Sequence, residues 1–335
     1  MSGHSEKILA TGAAGFIGSE FLRQAVRLGF KIAVVDKLTY AGDLARLADL
    51  KGKFTFVKAD ICNSKKIPEV FTKVKPDIVV HFAAETHVDR SILDTFSATR
   101  TNMVGTQNLI ETAKKNRIEK FIHISTDEVY GDIHQGQFTE NSPINPSSPY
   151  SASKAAADVL LRAYIRTYKF PAIIVRPSNN YGPWQYPEKF MPVIIYKAMA
   201  DQKIPVYGQG LNVREWLYVS DCAAGILKVM ENGRLGEVYN LGSGQEYRNI
   251  DVVRSVLEIL NKPQSLVEFV QDRPGHDFRY SLDFSKLRNE LAWEPQVSFP
   301  EGVRKTVDFY KQQFAWLEKK VKTLKSYWKK VYKKV

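Results

Sequence analysis

Through the first half of the chain, short apolar runs alternate with segments whose apolar residues recur at helical spacing. Lys7 to Thr11, Lys31 to Asp36, Phe54 to Lys58, Asp77 to Phe82, Lys120 to Ser125 and Ala172 to Arg176 read as strands, and helical patterns lie between them. The apolar positions in these runs are consecutive. A strand needs that pattern when both faces of its sheet are covered, and helices joining parallel strands supply the cover. The pattern predicts an α/β fold built on a doubly wound parallel sheet. After Pro177 it changes: glycine and proline punctuate short mixed elements at Tyr181-Gly182-Pro183, Tyr207-Gly208-Gln209-Gly210, Gly242-Ser243-Gly244 and Arg273-Pro274-Gly275. This predicts a smaller mixed lobe closing over the carboxyl ends of the strands. The expected divisions are 1–177 for the sheet domain, 178–317 for the lobe, with some of its segments returning to the sheet, and 318–335 for a tail.

The tail has its own pattern. Leu317, Val321, Leu324, Trp328, Val331 and Val335 recur at steps of three and four, an apolar stripe on one face of a helix, and from Lys319 to Val335 eight lysines with no acid fall on the other faces. Three placements fit: packing against the protein's own body, lying on an anionic membrane surface, or docking a partner helix. In each, the tail is expected to be dispensable for chemistry, because every catalytic candidate lies at or before Lys154. The tail also changes the meaning of the net charge. Of the formal +12 on 335 residues, eight charges come from these lysines, so the body is only mildly basic and a nucleic-acid-binding core is not expected. Two cysteines, Cys62 and Cys222, and no Cys/His cluster at ligand spacing argue against a disulfide framework or a bound metal, and they suit the cytoplasm. The polar start and the lack of a long apolar run point away from a signal peptide or a membrane span.

The first strand runs into Thr11-Gly12-Ala13-Ala14-Gly15-Phe16-Ile17-Gly18, and a helical pattern follows from Ser19 to Leu28. Three glycines there allow a tight turn, a close backbone approach by a pyrophosphate, and close packing of helix on strand, while the helix N-terminus offers N–H groups to phosphate. A glycine-rich turn can also be only a turn. Asp36 at the end of the second strand gives it context: a carboxylate there accepts bonds from an adenosine ribose and repels a 2′-phosphate, which favours NAD in a Rossmann-type domain. Asp60 closes the third strand.

Tyr150 and Lys154 lie four apart at the start of a helical pattern that runs to Tyr168, so they share one face. A phenol can act as a base near neutrality if an ammonium and an oxidised nicotinamide favour its phenolate. Ser125 and Thr126, at the end of the fifth strand, lift this pair above an ordinary surface Tyr and Lys.

These residues resemble the extended short-chain dehydrogenase/reductase superfamily. More closely, Asp36 to Gly42, Ala83 to Ser91, Ser125 to Gly131, Asn179 to Pro183 and Arg273 to Asp277 resemble the dTDP-glucose 4,6-dehydratase family. The resemblance covers the chain to about Leu317. It implies NAD held by Gly12, Gly15, Phe16, Ile17, Gly18, Asp36, Asp60, Ile61, Ala83, Tyr150 and Lys154. It implies a catalytic set of Thr126, Asp127, Glu128, Tyr150 and Lys154, with Glu128 as the base at C5 and Asp127 as the acid at C6. It implies substrate contacts from Thr86, Asn179, Lys189, Arg214, Asn249, Arg273 and His276, and a homodimer paired through helices at about Asn102 to Asn116 and Tyr150 to Tyr168.

The chemistry agrees with that division of labour. Oxidising a sugar C4 hydroxyl acidifies the C5 proton, and elimination then needs one group to remove that proton and another to protonate the departing C6 hydroxyl. Asp127 must then be protonated, with its pKa raised by burial or by its neighbour's charge. Read alone, Thr126-Asp127-Glu128 could equally be a helix N-cap with acids at the positive end of the dipole. A 4-epimerase, a glucuronate decarboxylase or a UDP-glucose 4,6-dehydratase stays open as an alternative, as does an NAD-binding regulator without catalysis. Trp184-Gln185-Tyr186, Cys222 and Phe278 depart from the family pattern, which bears on thymidine selectivity.

Overall fold

The structure, a computed structural model, describes residues 6–272 and 275–332, with side chains as far as Trp328. Six strands come first: β1 (Lys7–Thr11), β2 (Lys31–Asp36), β3 (Thr55–Lys58), β4 (Ile78–His81), β5 (Lys120–Ile124) and β6 (Ala172–Pro177). Helices α1 (Phe16–Arg27), α2 (Lys66–Val74), α3 (Val88–Leu93), α4 (Thr95–Thr99), α5 (Thr106–Lys115) and α6 (Pro149–Tyr168) run between them. In the lobe follow β7 (Asn179–Tyr181), α7 (Phe190–Met199), β8 (Ile204–Tyr207), β9 (Val213–Tyr218), α8 (Val219–Asn232), β10 (Val238–Leu241), β11 (Glu246–Arg248), α9 (Asn249–Ile259), β12 (Val267–Val270), α10 (Ser285–Leu291), α11 (Phe299–Gln312) and α12 (Phe314–Tyr332).

The central sheet is parallel, with seven strands in the order β10-β6-β5-β4-β1-β2-β3. This is the doubly wound sheet expected from the consecutive apolar runs. In β1, Ile8 and Ala10 join the core on one side while Leu9 joins the core on the other, so these central positions are apolar on both faces. The chain reverses its winding between β1 and β4. A crevice opens there at the carboxyl ends of the strands, where ligands bind in folds of this kind. The last strand of this sheet, β10, comes from beyond residue 178, and α8 packs on α1 beneath it.

The lobe carries a three-stranded sheet, β11-β9-β7, and the pair β12-β8. Its core is built by α7, α9, α11 and α12. The stripe of the tail lies in that core: Leu317, Val321, Leu324 and Trp328 are all buried. Of the three placements open to the sequence, the structure therefore shows packing on the body. Trp328 is enclosed beside Tyr196, with the Lys197 ammonium over its ring, and cannot sit at the depth of lipid headgroups. The side chain of Val331 and all of Lys333, Lys334 and Val335 lie outside the described residues. Among the described residues no helix is long and apolar enough to cross a membrane.

Candidate active site

The glycine turn meets the fourth strand at its tightest point. Gly12 has φ +72°, and a Cβ on it would lie 2.5 Å from the backbone of Ala83. Gly18 faces Ala13, where a Cβ would come within 2.7 Å of the Cα. The helix begins three residues earlier than the apolar pattern suggested, with Gly15 as N-cap, so Phe16, Ile17 and Gly18 form a first turn whose N–H groups face the crevice. Asp36 closes the turn from the side, its carboxylate accepting from Ala14 N at 3.1 Å and Leu38 N at 2.8 Å. Burial raises the Asp36 pKa, against the pull of those two bonds.

One cleft contains Gly12, Gly15, Phe16, Ile17, Gly18, Asp36, Asp60, Ile61 and Ala83 together with Thr126, Asp127, Glu128, Tyr150 and Lys154. Thr86, Asn179 and Lys189 line it too. The residues fit a dinucleotide on two grounds: glycine at 12 and 18 lets the turn pack directly on the backbone of Ala83 and Ala13, with the first turn of α1 facing the cleft, and Ser178 Oγ and Asn179 Oδ1 are buried in the wall with no hydrogen-bond partner among the described residues.

Helix α6 sets the chemical end. Ser148 caps it, in a reciprocal pair with Ser151, and Pro149 takes the first turn, where no N–H is needed. Tyr150, Lys154, Asp158 and Leu161 then follow at steps of four, four and three along its buried face. The Lys154 ammonium donates to the Ile124 carbonyl at 2.7 Å, where β5 ends. Burial lowers the Lys154 pKa to about 8, against the charge of Asp158. The Tyr150 phenol is moved upward, first by burial and then by the Glu128 carboxylate, while a hydrogen bond with Thr126 works the other way. The sequence led us to expect a nearby ammonium to lower it; in the folded chain Lys154 is turned to a backbone carbonyl and burial prevails.

Thr126, two residues past the end of β5, accepts from Glu128 N at 3.3 Å, capping a short turn over Asp127–Tyr130. The cap and the chemistry are thus one arrangement, because the same turn delivers both acids to the cleft. Asp127 is buried and Glu128 half-buried. The Asp127 pKa is raised well above the ordinary carboxyl range, chiefly by burial, then by the charges of Glu128 and Glu215; Thr126 and Arg214 oppose the shift. A carboxyl whose pKa is pushed upward in this way suits a proton donor.

Residues 9–306 match the family described as GDP-mannose 4,6 dehydratase. The chain is 47% identical over 321 residues to a dTDP-glucose 4,6-dehydratase of Streptomyces niveus, covering 93% of this chain and 95% of that one. The chain belongs to the dTDP-glucose 4,6-dehydratase family. A Neisseria meningitidis member is 45% identical over 335 residues, covering 92% of this chain and 94% of its own. Among solved structures, a dTDP-glucose 4,6-dehydratase of Streptomyces venezuelae with NAD bound superposes with a TM-score of 0.91 at 43% identity, covering 94% of this chain and 99% of that one. A UDP-glucose 4-epimerase of Thermus thermophilus in complex with NAD reaches 0.86 at 30% identity, covering 91% and 99%. The fold is therefore shared with epimerases.

The other family-type contacts form a separate group on the lobe. Arg214 in β9 donates to the carbonyls of Val213, Asp277 and Phe278 and stacks on Tyr280. Asn249 opens α9, its N–H bonded to the Asn212 carbonyl, and His276 is paired with Asp272. These three do not line the cleft of the glycine turn, and Arg273 lies outside the described residues.

Several residues of the dehydratase site escape sequence reasoning. Asn102 sits in a π-turn, Arg100–Gly105, so α5 starts at Thr106 where the resemblance implied a helix from about Asn102. Fully buried, Asn102 bonds both backbone groups of Glu85 and donates to Ser153 Oγ at 2.8 Å, tying the floor of the cleft to α6. Ser91 Oγ accepts from Tyr150 N at 3.0 Å. Behind Lys154 lies a buried ionic group: Asp158 Oδ2 is 2.9 Å from Arg176 Nε, and Asp158 Oδ1 is 3.4 Å from His123 Nε2. The step of four from Lys154 to Asp158 was the available signal.

Proposed function

We propose that this protein converts dTDP-glucose to the 4-keto-6-deoxy sugar by an NAD-dependent dehydration. The observation that carries the reading is the placement of Asp127, a buried carboxyl next to Glu128, in the same cleft as Tyr150 and the glycine turn, where burial and the neighbouring acid push its pKa upward. NAD supplies the hydride acceptor for C4 and the donor for C6. The glycine turn and the first turn of α1 would hold its diphosphate, and Asp36 would orient its ribose. An oxidised nicotinamide in the cleft would add the positive charge that lets Tyr150 give up its proton, and the phenolate, with Thr126 beside it, would then take the proton of the C4 hydroxyl. Glu128 removes the C5 proton, and Asp127 protonates the departing C6 hydroxyl, which leaves as water. A proton returned to C5 completes the product.

Thr86, Asn179 and Lys189 from the cleft, with Arg214, Asn249, Arg273 and His276 from the lobe, are the proposed contacts for nucleotide and diphosphate. The sheet domain (1–177) holds the cofactor and the lobe (178–317) the substrate, with β10 returning to the sheet. A homodimer through α5 and α6 is supported by a patch of large exposed apolar residues on and beside those helices: Ile92, Leu93, Phe96, Val104 and Val159. Two cysteines with no disulfide, Cys62 and Cys222, fit the cytoplasm.

Incubation with a panel of nucleotide-glucoses tests the reading. The expected result is a 4-keto-6-deoxy product from dTDP-glucose with no NADH accumulating. An intact hexose epimer, or NADH released in proportion to substrate, would overturn it.

A further inference from the structure

The last helix reaches the far side of the cleft. The match to the family ends at residue 306, so α12 lies beyond it. One face of α12 is spent in the core of the lobe. Three side chains at the edge of that face, Trp316, Lys320 and Tyr327, cross to segments of the sheet domain.

Two of them converge on Asp43. Trp316 Nε1 donates to Asp43 Oδ2 at 2.9 Å, and Lys320 Nζ is 2.7 Å from the same oxygen. Burial raises the Asp43 pKa, but Lys320, Ala45 N and Trp316 together bring it to about 2. Asp43 N donates in turn to the carbonyl of Ala14, inside the glycine turn, at 3.0 Å. The buried guanidinium of Arg46 donates to the same carbonyl at 2.9 Å and to those of Ala41 and Trp184, and it lies against the Trp316 ring. The loop from Asp36 to Arg46, whose Thr39, Ala41 and Gly42 line the cleft, is therefore fastened to α12 at its outer end.

Tyr327 makes the second crossing. Its ring lies 4.2 Å from the Arg90 guanidinium, and the ring of Tyr40, from the same loop, lies 3.9 Å from it. Tyr327 Oη is 3.3 Å from His87 Nδ1. Arg90 Nε is paired with Glu188 at 2.7 Å, and Tyr40 Oη donates to the other Glu188 oxygen at 3.0 Å. Glu188 itself lines the cleft.

We infer that α12 is a clasp for the dinucleotide: Trp316, Lys320 and Tyr327 are positioning residues that hold the Asp36–Arg46 loop shut over the cofactor, so that it stays bound from one turnover to the next. The inference rests on the proposed function, in which the hydride returns to the sugar and the cofactor has no need to leave. A ligand under this loop departs only when the loop moves, and three attachments to α12 oppose that movement.

The test uses the purified holoprotein and two mild changes, Lys320→Ala and Tyr327→Phe, separately and combined. Each leaves the buried stripe intact, and circular dichroism checks the fold. Dinucleotide per chain is measured after acid release, and its exchange with added labelled NAD is timed. The combined variant is expected to exchange about tenfold faster, the equivalent of ~1.4 kcal/mol. It should lose activity on dilution and regain wild-type kcat when NAD is added, so that the apparent KM for NAD rises while kcat holds. Lys320→Arg should restore slow exchange, and Lys322→Ala, on the exposed face, should change nothing. Wild-type exchange rates in the folded combined variant would overturn the clasp, as would lost activity that NAD does not restore. A wild-type protein that neither carries nor binds NAD would instead overturn the proposed function.

Discussion

Thr126 donates to Asp127 Oδ1 across 3.1 Å, and Asp127 Oδ2, fully enclosed, has no hydrogen-bond partner among the described residues. One bond from a hydroxyl is weak support for a buried carboxylate, and Glu128 adds a like charge beside it, so the neutral acid is the stable form. The division of labour between the two acids follows from this inequality of surroundings.

Replacing either acid should separate the steps of the reaction. Asp127→Asn and Glu128→Gln should still oxidise C4, seen as a transient NADH absorbance with dTDP-glucose, yet dehydrate about 10²- to 10⁴-fold more slowly. Tyr150→Phe should show neither signal. Dehydration by Glu128→Gln at the wild-type rate would refute its assignment as the C5 base.

The raised pKa of Asp127 has a consequence for stability. A group whose folded pKa lies above its unfolded value adds stability at low pH that is lost as pH rises through the folded value. The wild type therefore carries an increasing penalty as Asp127 is forced to ionise, and Asp127→Asn does not. Melting temperatures across a pH series should show the Asn variant gaining on the wild type as pH rises, with the two converging below the ordinary carboxyl range. A constant gap would contradict the shift.

Asp158 is expected to matter for both fold and proton balance. Burial raises its pKa, but Arg176, then His123 and Lys154, hold it at about 2. Asp158→Asn leaves the Arg176 guanidinium buried without its counter-charge, which should cost about 3 kcal/mol in urea unfolding. Because the folded pKa of Asp158 is depressed, that difference should shrink as the pH falls below the usual carboxyl value of 3.8 towards 2. Lys154 loses the one charge that raises its pKa, so the alkaline limb of the activity profile should move to lower pH.

A charge placed on the exposed apolar patch should break the proposed dimer. Val159 on α6 is more than half exposed in the single chain. Sedimentation should find the wild type as a dimer at micromolar concentration and Val159→Lys largely as a monomer. An unchanged mass for the variant would place the interface elsewhere.

Much of this was legible in the sequence because it depends on local spacing. The three glycines, the consecutive apolar strands and the four-residue step from Tyr150 to Lys154 each imply a geometry without knowledge of distant residues. What could not be read depends on which remote groups meet. The apolar stripe of α12 specifies a buried face without naming what buries it, and only the fold shows Leu317 and Trp328 in the lobe with Tyr327 against Arg90. Asn102 lay in a run that looked like ordinary helix, and the π-turn that directs its amide to Glu85 has no signature at the level of spacing. The upward shift at Tyr150 likewise arises from burial, set by the closed cleft rather than by its neighbours in sequence.

The central claim is that one hydride leaves C4 and returns to C6 of the same sugar. Turnover of dTDP-glucose carrying deuterium at C4, in ordinary water, tests this directly by mass spectrometry and NMR of the product. The account predicts a 4-keto-6-deoxy sugar with one deuterium on the C6 methyl group and none at C5. A product with an unlabelled methyl group, or label recovered in free NADH, would contradict it.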